Sequence, residues 1–344
     1  MKKEYNLIKK NNDYFEIFGE IFIKLISLIS FIVIILIFVF VFREAQYTFI
    51  EQRHETSQEE QIQETYGDIP EDNNVSTSGY ASMETSGHAG KADWNNLTSK
   101  NWQPVSSEPK YGLIPLAIGS FKVTVVAVLF GAPIAILAAI YTALFANKKL
   151  KEIIKPSIEV LASFPSVVIG FFALVILATL LQNIFGYQYR LNAFVGGLAL
   201  SLAIIPIIYT ITEDALSTVP KYWVEASLAL GANKWQTAFF VILPAAIPGI
   251  FAALILGFGR AFGETMIVLM ATGNAALVST NIFEPVRTMS ATIGAEMAEV
   301  VFGEVHYGVL FLIGSILFIF TFILNAIAEF YIRGKLLKRF RGDV

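Results

Sequence analysis

From Ile21 to Phe42 only Lys24, Ser27 and Ser30 interrupt an apolar run. That run is long enough to cross the hydrocarbon layer as a helix, which takes about 20 residues. It exceeds the core of about 7 to 15 apolar residues of a secretory signal, and Phe42-Arg43-Glu44 does not resemble a small-residue cleavage site. An uncleaved membrane helix over 21–43 is therefore expected, preceded by a mixed-charge tail, 1–20. Residues 44–110 are a different material, rich in Glu, Gln, Ser, Thr, Asn and Gly. Their pattern predicts a helical extension over 47–65 and a flexible stretch from Asn73 to Lys91. Trp94 and Trp102 mark either the chain's return to the membrane interface or the core of a small folded domain.

From Tyr111 the apolar pattern resumes, and five further spans are predicted within 111–333. Tyr111–Ala146 is too long for one straight crossing and contains Gly119, Gly131 and Pro133, so it tilts, kinks or starts with an interfacial piece. A lysine-rich loop, Asn147–Pro156, precedes a third span over Ile158–Leu181. The fourth is Asn192–Ile211, the fifth Pro244 to about Thr272, and the sixth Val309–Ile332. Between the last two, a partly inserted helix is expected around Met289–Val300. Residues 334–344 form a basic tail.

The fold class expected is all-α: a polytopic membrane protein of six helices. Composition agrees, with 55% hydrophobic and 15% charged residues and a mean hydropathy of +0.60, a balance foreign to soluble domains. Lys148, Lys149, Lys151 and Lys155 in one short loop, and Arg333, Lys335, Lys338, Arg339 and Arg341 after the last span, place those segments and both termini in the cytoplasm. The chain has no cysteine, which excludes disulfides, thiolate metal sites and cysteine nucleophiles. His54, His88 and His306 are scattered without ligand spacing, so no metal site is expected.

Two polar features stand out in this apolar background. One is the loop 213–240, where Pro220 leads into a short helix that Gly231 is suited to end. A second short element from Lys234 to Phe240 then meets Pro244, which suits a helix start. The other is the fifth span, where Arg260 and Glu264 lie four residues apart, on one face of a continuous helix, among Gly257, Gly259 and Gly263. Charges at bilayer depth face protein or a watery path. The pair is either a structural ion pair fixing helix packing or an anion path in which Glu264 orients the Arg260 guanidinium, whose planar fork suits a tetrahedral oxyanion.

Glu225-Ala226-Ser227, Gly231 and Val241-Ile242-Leu243-Pro244 resemble the Glu-Ala-Ala loop of ABC importer permeases, with Ser227 in place of the second Ala and Val241 in place of Ile. The resemblance implies a type I, MetI-like permease core and gives Glu225, Ala226, Ser227, Gly231, Leu243 and Pro244 the role of coupling to an ATPase. Gly259-Arg260-Ala261-Phe262-Gly263-Glu264-Thr265-Met266, Ser163-Phe164-Pro165-Ser166 with the residues to Phe172, and Ala298-Glu299-Val300 are similar to the permeases of phosphate ABC importers, of the PstC more than the PstA type. This likeness covers about 113–332 and leaves the insert 44–110 outside it.

What the resemblance implies is a non-catalytic subunit at the cell membrane that forms the phosphate path. No Gly-x-x-x-x-Gly-Lys-Ser/Thr loop occurs, so the chain binds no cofactor in this reading and the ATP is used by its partner. The implied partners are a PstA-like second permease, a PstB-like ATP-binding dimer and a PstS-like extracytoplasmic phosphate-binding protein. The alternatives are a permease for sulfate or molybdate, a secondary anion carrier with Glu264 as proton relay and, most remotely, a membrane enzyme.

Overall fold

The computed structural model describes residues 4–49 and 92–331. The expected flexible stretch Asn73–Lys91 and the basic tail 334–344 lie outside the described residues, as do His54 and His88. Among the described residues, six helices are long and apolar enough to cross a membrane. Counting their wide π turns as part of them, the helices are α1 (Glu4–Ala45), α2 (Trp94–Leu97), α3 (Leu113–Phe145), α4 (Lys148–Ser163), α5 (Ser166–Phe185) and α6 (Ala193–Ser217). They continue with α7 (Lys221–Ala229), α8 (Lys234–Phe262), α9 (Met266–Ala271), α10 (Met289–Glu296) and α11 (Val305–Tyr331). Two two-residue strands, β1 (Trp102–Gln103) and β2 (Lys110–Tyr111), pair antiparallel before α3.

The core lies between α3 and α6, where small residues bring the helices close. Gly197 lies against Val126 and Val123, and Gly131 against Ser201 and Ile204. Leu200, Ile204 and Ile208 are fully buried in the seam. The apolar side chains that remain exposed, such as Leu129, Ile134 and Leu137, are what a lipid-facing surface requires, since lipid does not penalise them. The first helix packs on α11 through the edge-on pair Phe38 and Phe318, 4.1 Å between ring centres. Gly308 lets the backbone at Tyr47 and Thr48 press directly on α11; the α-helix stops at Ala45 and a 3-10 turn, Gln46–Thr48, follows, while the helical extension expected over 47–65 lies, from residue 50 on, outside the described residues.

Three boundaries differ from the sequence pattern. The lysine-rich stretch is a helix, not a loop: α4 is capped by the Asn147 side chain, which accepts from the Leu150 N–H at 2.9 Å. The third span starts at Ser166 rather than Ile158 because Phe164 precedes a proline and is extended, as the pre-proline clash favours. The fifth span begins at Lys234 rather than Pro244. Pro244 does not open a new helix, because a π turn, Ala238–Ile242, carries the chain into it without a break, and a widened turn tolerates the missing proline donor.

The segment after the insert is not a separate domain. Trp102 and Tyr111 are buried with Leu116, Met289, Val309 and Leu310 in a cluster on the end of the bundle. Trp94 is exposed, so only one of the two tryptophans is a core residue.

Candidate functional site

The loop between α6 and α8 is compact. α7 ends at Ala229, and Gly231 takes φ of +87°, the left-handed conformation that costs glycine little. Asn233 and Gln236 cap each other's backbone N–H groups at 2.8 Å, a capping box that starts the next helix. Ser227, standing where the resembled pattern has alanine, shares a 3.0 Å hydrogen bond with Thr237 and ties α7 to α8. Glu225, Ala226 and Gly231 are exposed, while Leu243 and Pro244 are half-buried.

Beneath the loop, Leu216, Val219, Ile242, Ala245 and Ala246 form a buried cluster against which Trp223 and Val224 pack. The outer surface keeps Tyr222, Leu230 and Trp235 exposed. The loop is thereby packed directly on the adjoining ends of α6 and α8. Lys155 of α4 reaches Glu213 of α6 at 2.8 Å, so the lysine-rich helix and the loop share one end of the bundle. Glu213 is buried and also accepts from Ser217. That hydrogen bond to Glu213 outweighs partial burial and raises the Lys155 pKa.

The fifth span is broken where the charged residues fall. α8 ends at Phe262 with Gly263 as its cap, and α9 restarts at Met266. Arg260 and Glu264 therefore do not share a helical face, which corrects the reading from their spacing, and among the described residues no ion pair joins them. The carbonyl oxygen of Glu264, released by the break, accepts from the Ser290 hydroxyl of α10 at 2.6 Å. Irregular backbone within a span needs such protein partners.

Arg260 is exposed and Glu264 half-buried. Along α8, Gly249 packs on Ala215 and Gly257 on Ile207 and Ile208 of α6. Three residues further, about 4.5 Å at helical rise, Arg260 lies alongside the central part of α6. The protomer thus presents a guanidinium, with a broken helix next to it, near the middle of its length.

A second polar centre was invisible in the sequence. Glu296, at the end of α10, receives Arg287 at 2.7 Å, His306 at 2.9 Å and the Trp102 indole N–H at 3.1 Å. Burial pushes its carboxyl up, but the hydrogen bonds with His306 and Trp102 and the charge of Arg287 more than offset this and hold it below the ordinary value. The residues come from four separate stretches, and no local motif announces them. A glutamate closing a helix, where the dipole favours a cation, is the one signal available.

Six spans, one broken beside an arginine, and an exposed helical loop on the bundle's end define a multi-pass membrane protein with the parts of a transport subunit. Residues 131–335 match the family described as binding-protein-dependent transport system inner membrane component. The chain belongs to that family. It is 37% identical over 227 residues to the probable ABC transporter permease YqgH of Bacillus subtilis (strain 168), a match covering 66% of this chain and 74% of that one. It is 32% identical over 253 residues to the phosphate transport system permease PstC of Mesorhizobium japonicum, covering 68% and 76%. With PstC of Xylella fastidiosa (strain Temecula1) the identity is 28% over 250 residues, covering 67% and 76%.

Proposed function

We propose that this chain is the transmembrane permease subunit of an ATP-driven phosphate importer, with Arg260 on the anion's path and the 213–240 loop engaging a separate ATPase. The observation that carries the reading is the placement of Arg260, exposed on the protomer alongside the middle of α6 and next to the break at Gly263. A cation at that depth is costly unless it faces a watery cavity or an anion, and guanidinium binds phosphate oxygens as a planar fork. Glu264, not paired with Arg260, acts as a nearby negative group that keeps the anion from settling too tightly.

The loop supplies the other half. Glu225, Ala226 and Gly231 present a polar, small-residue surface, and Tyr222 and Leu230 beside them are apolar and exposed, a composition suited to a protein cleft. Closure of an ATPase pair pushes this surface; the buried cluster under Trp223 carries the shift to α6 and α8, and α8 carries Arg260. One two-state bundle is then biased from both ends.

In this reading the lysine-rich helix α4 and both termini are cytoplasmic, and the chain itself holds no cofactor and performs no catalysis. Its partners are a second permease of the PstA kind, a dimer of a PstB-like ATPase and a PstS-like binding protein. Phosphate uptake by vesicles containing the assembled complex, with ATP inside the ATPase compartment, tests it. Uptake of sulfate or molybdate in place of phosphate would overturn the assignment of cargo while leaving the architecture.

A further inference from the structure

The helix α10 is fastened at both ends. At its start the Met289 N–H donates to the Ser120 hydroxyl of α3 at 2.9 Å, and Ser290 donates to the Glu264 carbonyl in the break. One turn on, Gly294 lies directly against Thr265, so closely that a Cβ there would collide with the threonine methyl. At its end Glu296 is gripped by Arg287, His306 and Trp102. Both side chains of the Glu296–Arg287 pair are largely buried, 13% and 17% exposed.

These facts carry a mechanical consequence. An eight-residue helix is too short to be stable alone, so its position depends on these fastenings. The face it applies to Glu264 and Thr265 is narrow, a serine and a glycine. The carboxylate at its end is a poor choice for the helix itself and a good one for holding a guanidinium, an imidazole and an indole in a buried place.

We propose that Glu296 is a positioning residue of the translocation path: by anchoring α10 it keeps Glu264 and Thr265 of the break half-buried, and release of the anchor uncovers them. This rests on the reading that the break borders the path. Trp102 makes the return segment of the insert, from Ala92 to Gly112, part of the same device. Displacing that segment removes the indole donor and weakens the anchor without touching the membrane spans.

The absence of cysteine makes the test direct. Thr265→Cys, in the assembled complex in nanodiscs, is exposed to a small charged thiol reagent and its rate of labelling measured. Adding Glu296→Gln is expected to raise that rate about tenfold, the effect of losing a charged hydrogen-bond network, and Glu296→Asp to restore much of the protection. Trp102→Phe and His306→Phe, each removing one partner, are expected to give smaller increases. An unchanged rate with Glu296→Gln overturns the proposal. Should that variant fail to assemble, unchanged rates with both Trp102→Phe and His306→Phe overturn it equally. Labelling does not depend on the cargo, so a failure of the phosphate assignment leaves this result readable.

Discussion

Arg260 shows how a residue can be found by sequence while its geometry is not. Its unusual place in an apolar run was visible at once, but the spacing of Arg260 and Glu264 implied a shared face only if the helix continued. Gly263 ends that helix, and Ser290, 26 residues away, takes up the freed carbonyl; neither is encoded in the local pattern. The same holds for Glu296: of its partners, Trp102 read as either an interface or a core residue, His306 as a histidine without ligand spacing, and Arg287 drew no reading. Arg260→Gln is expected to abolish phosphate uptake while the complex still assembles, because an exposed side chain contributes little to folding; unchanged uptake would remove Arg260 from the path. Tyr111 offers a test at high pH. Burial first, then the charges of Glu304 and Glu296, push its phenol from 10.0 up to about 12. Since the folded value lies above the unfolded one, its contribution to stability is complete below pH 10 and declines as pH rises toward 12. Thermal unfolding followed across that window is expected to show a loss that Tyr111→Phe removes.

At the scale of elements, the membrane helices were legible because apolar runs of that length have few other homes. The short ones were legible only where punctuation was strong: Gly231 ends α7 as its type suggests, and α10 lies inside the expected Met289–Val300 segment. The lysine-rich α4 read as a loop because its charges dominate, although Leu150, Ile154 and Ile158 recur at helical spacing and the last two pack on the core. Pro244 misled in the other direction, since a π turn absorbs it. Gly231→Ala forces a left-handed alanine and is expected to cost about 1 kcal/mol locally. ATPase activity coupled to transport is therefore expected to fall while the spans remain folded, measured as the ratio of phosphate moved to ATP hydrolysed. Lys155→Met leaves the buried Glu213 with only Ser217 as partner and is expected to destabilise the protein by roughly 1–3 kcal/mol. Thermal unfolding of the purified complex measures it, and Glu213→Gln in the same background is expected to recover most of the loss.

For the whole molecule, the arrangement is an exposed loop at one end, a cation at the middle and a fastened helix at the other end. Buried apolar seams join the first two: Val224 and Trp223 on the cluster of Leu216 and Ile242, and Gly249 and Gly257 of α8 on α6. In the proposed mechanism the Glu225 loop and the return segment 92–112 act from opposite ends on the same broken span. Deleting 73–91 is expected to leave ATPase coupling intact, because Ala92, Leu97, Trp102 and Tyr111, which pack in the cluster at the end of the bundle, all remain; loss of complex assembly would instead make the deleted stretch a docking element. Nucleotide hydrolysis by a separate subunit is expected to drive this bundle, and radiolabelled phosphate uptake in vesicles containing the full complex is the decisive measurement. Supplied with ATP and no ion gradient, the vesicles are expected to accumulate phosphate; accumulation driven by a proton gradient alone, with ATP absent, would contradict the account.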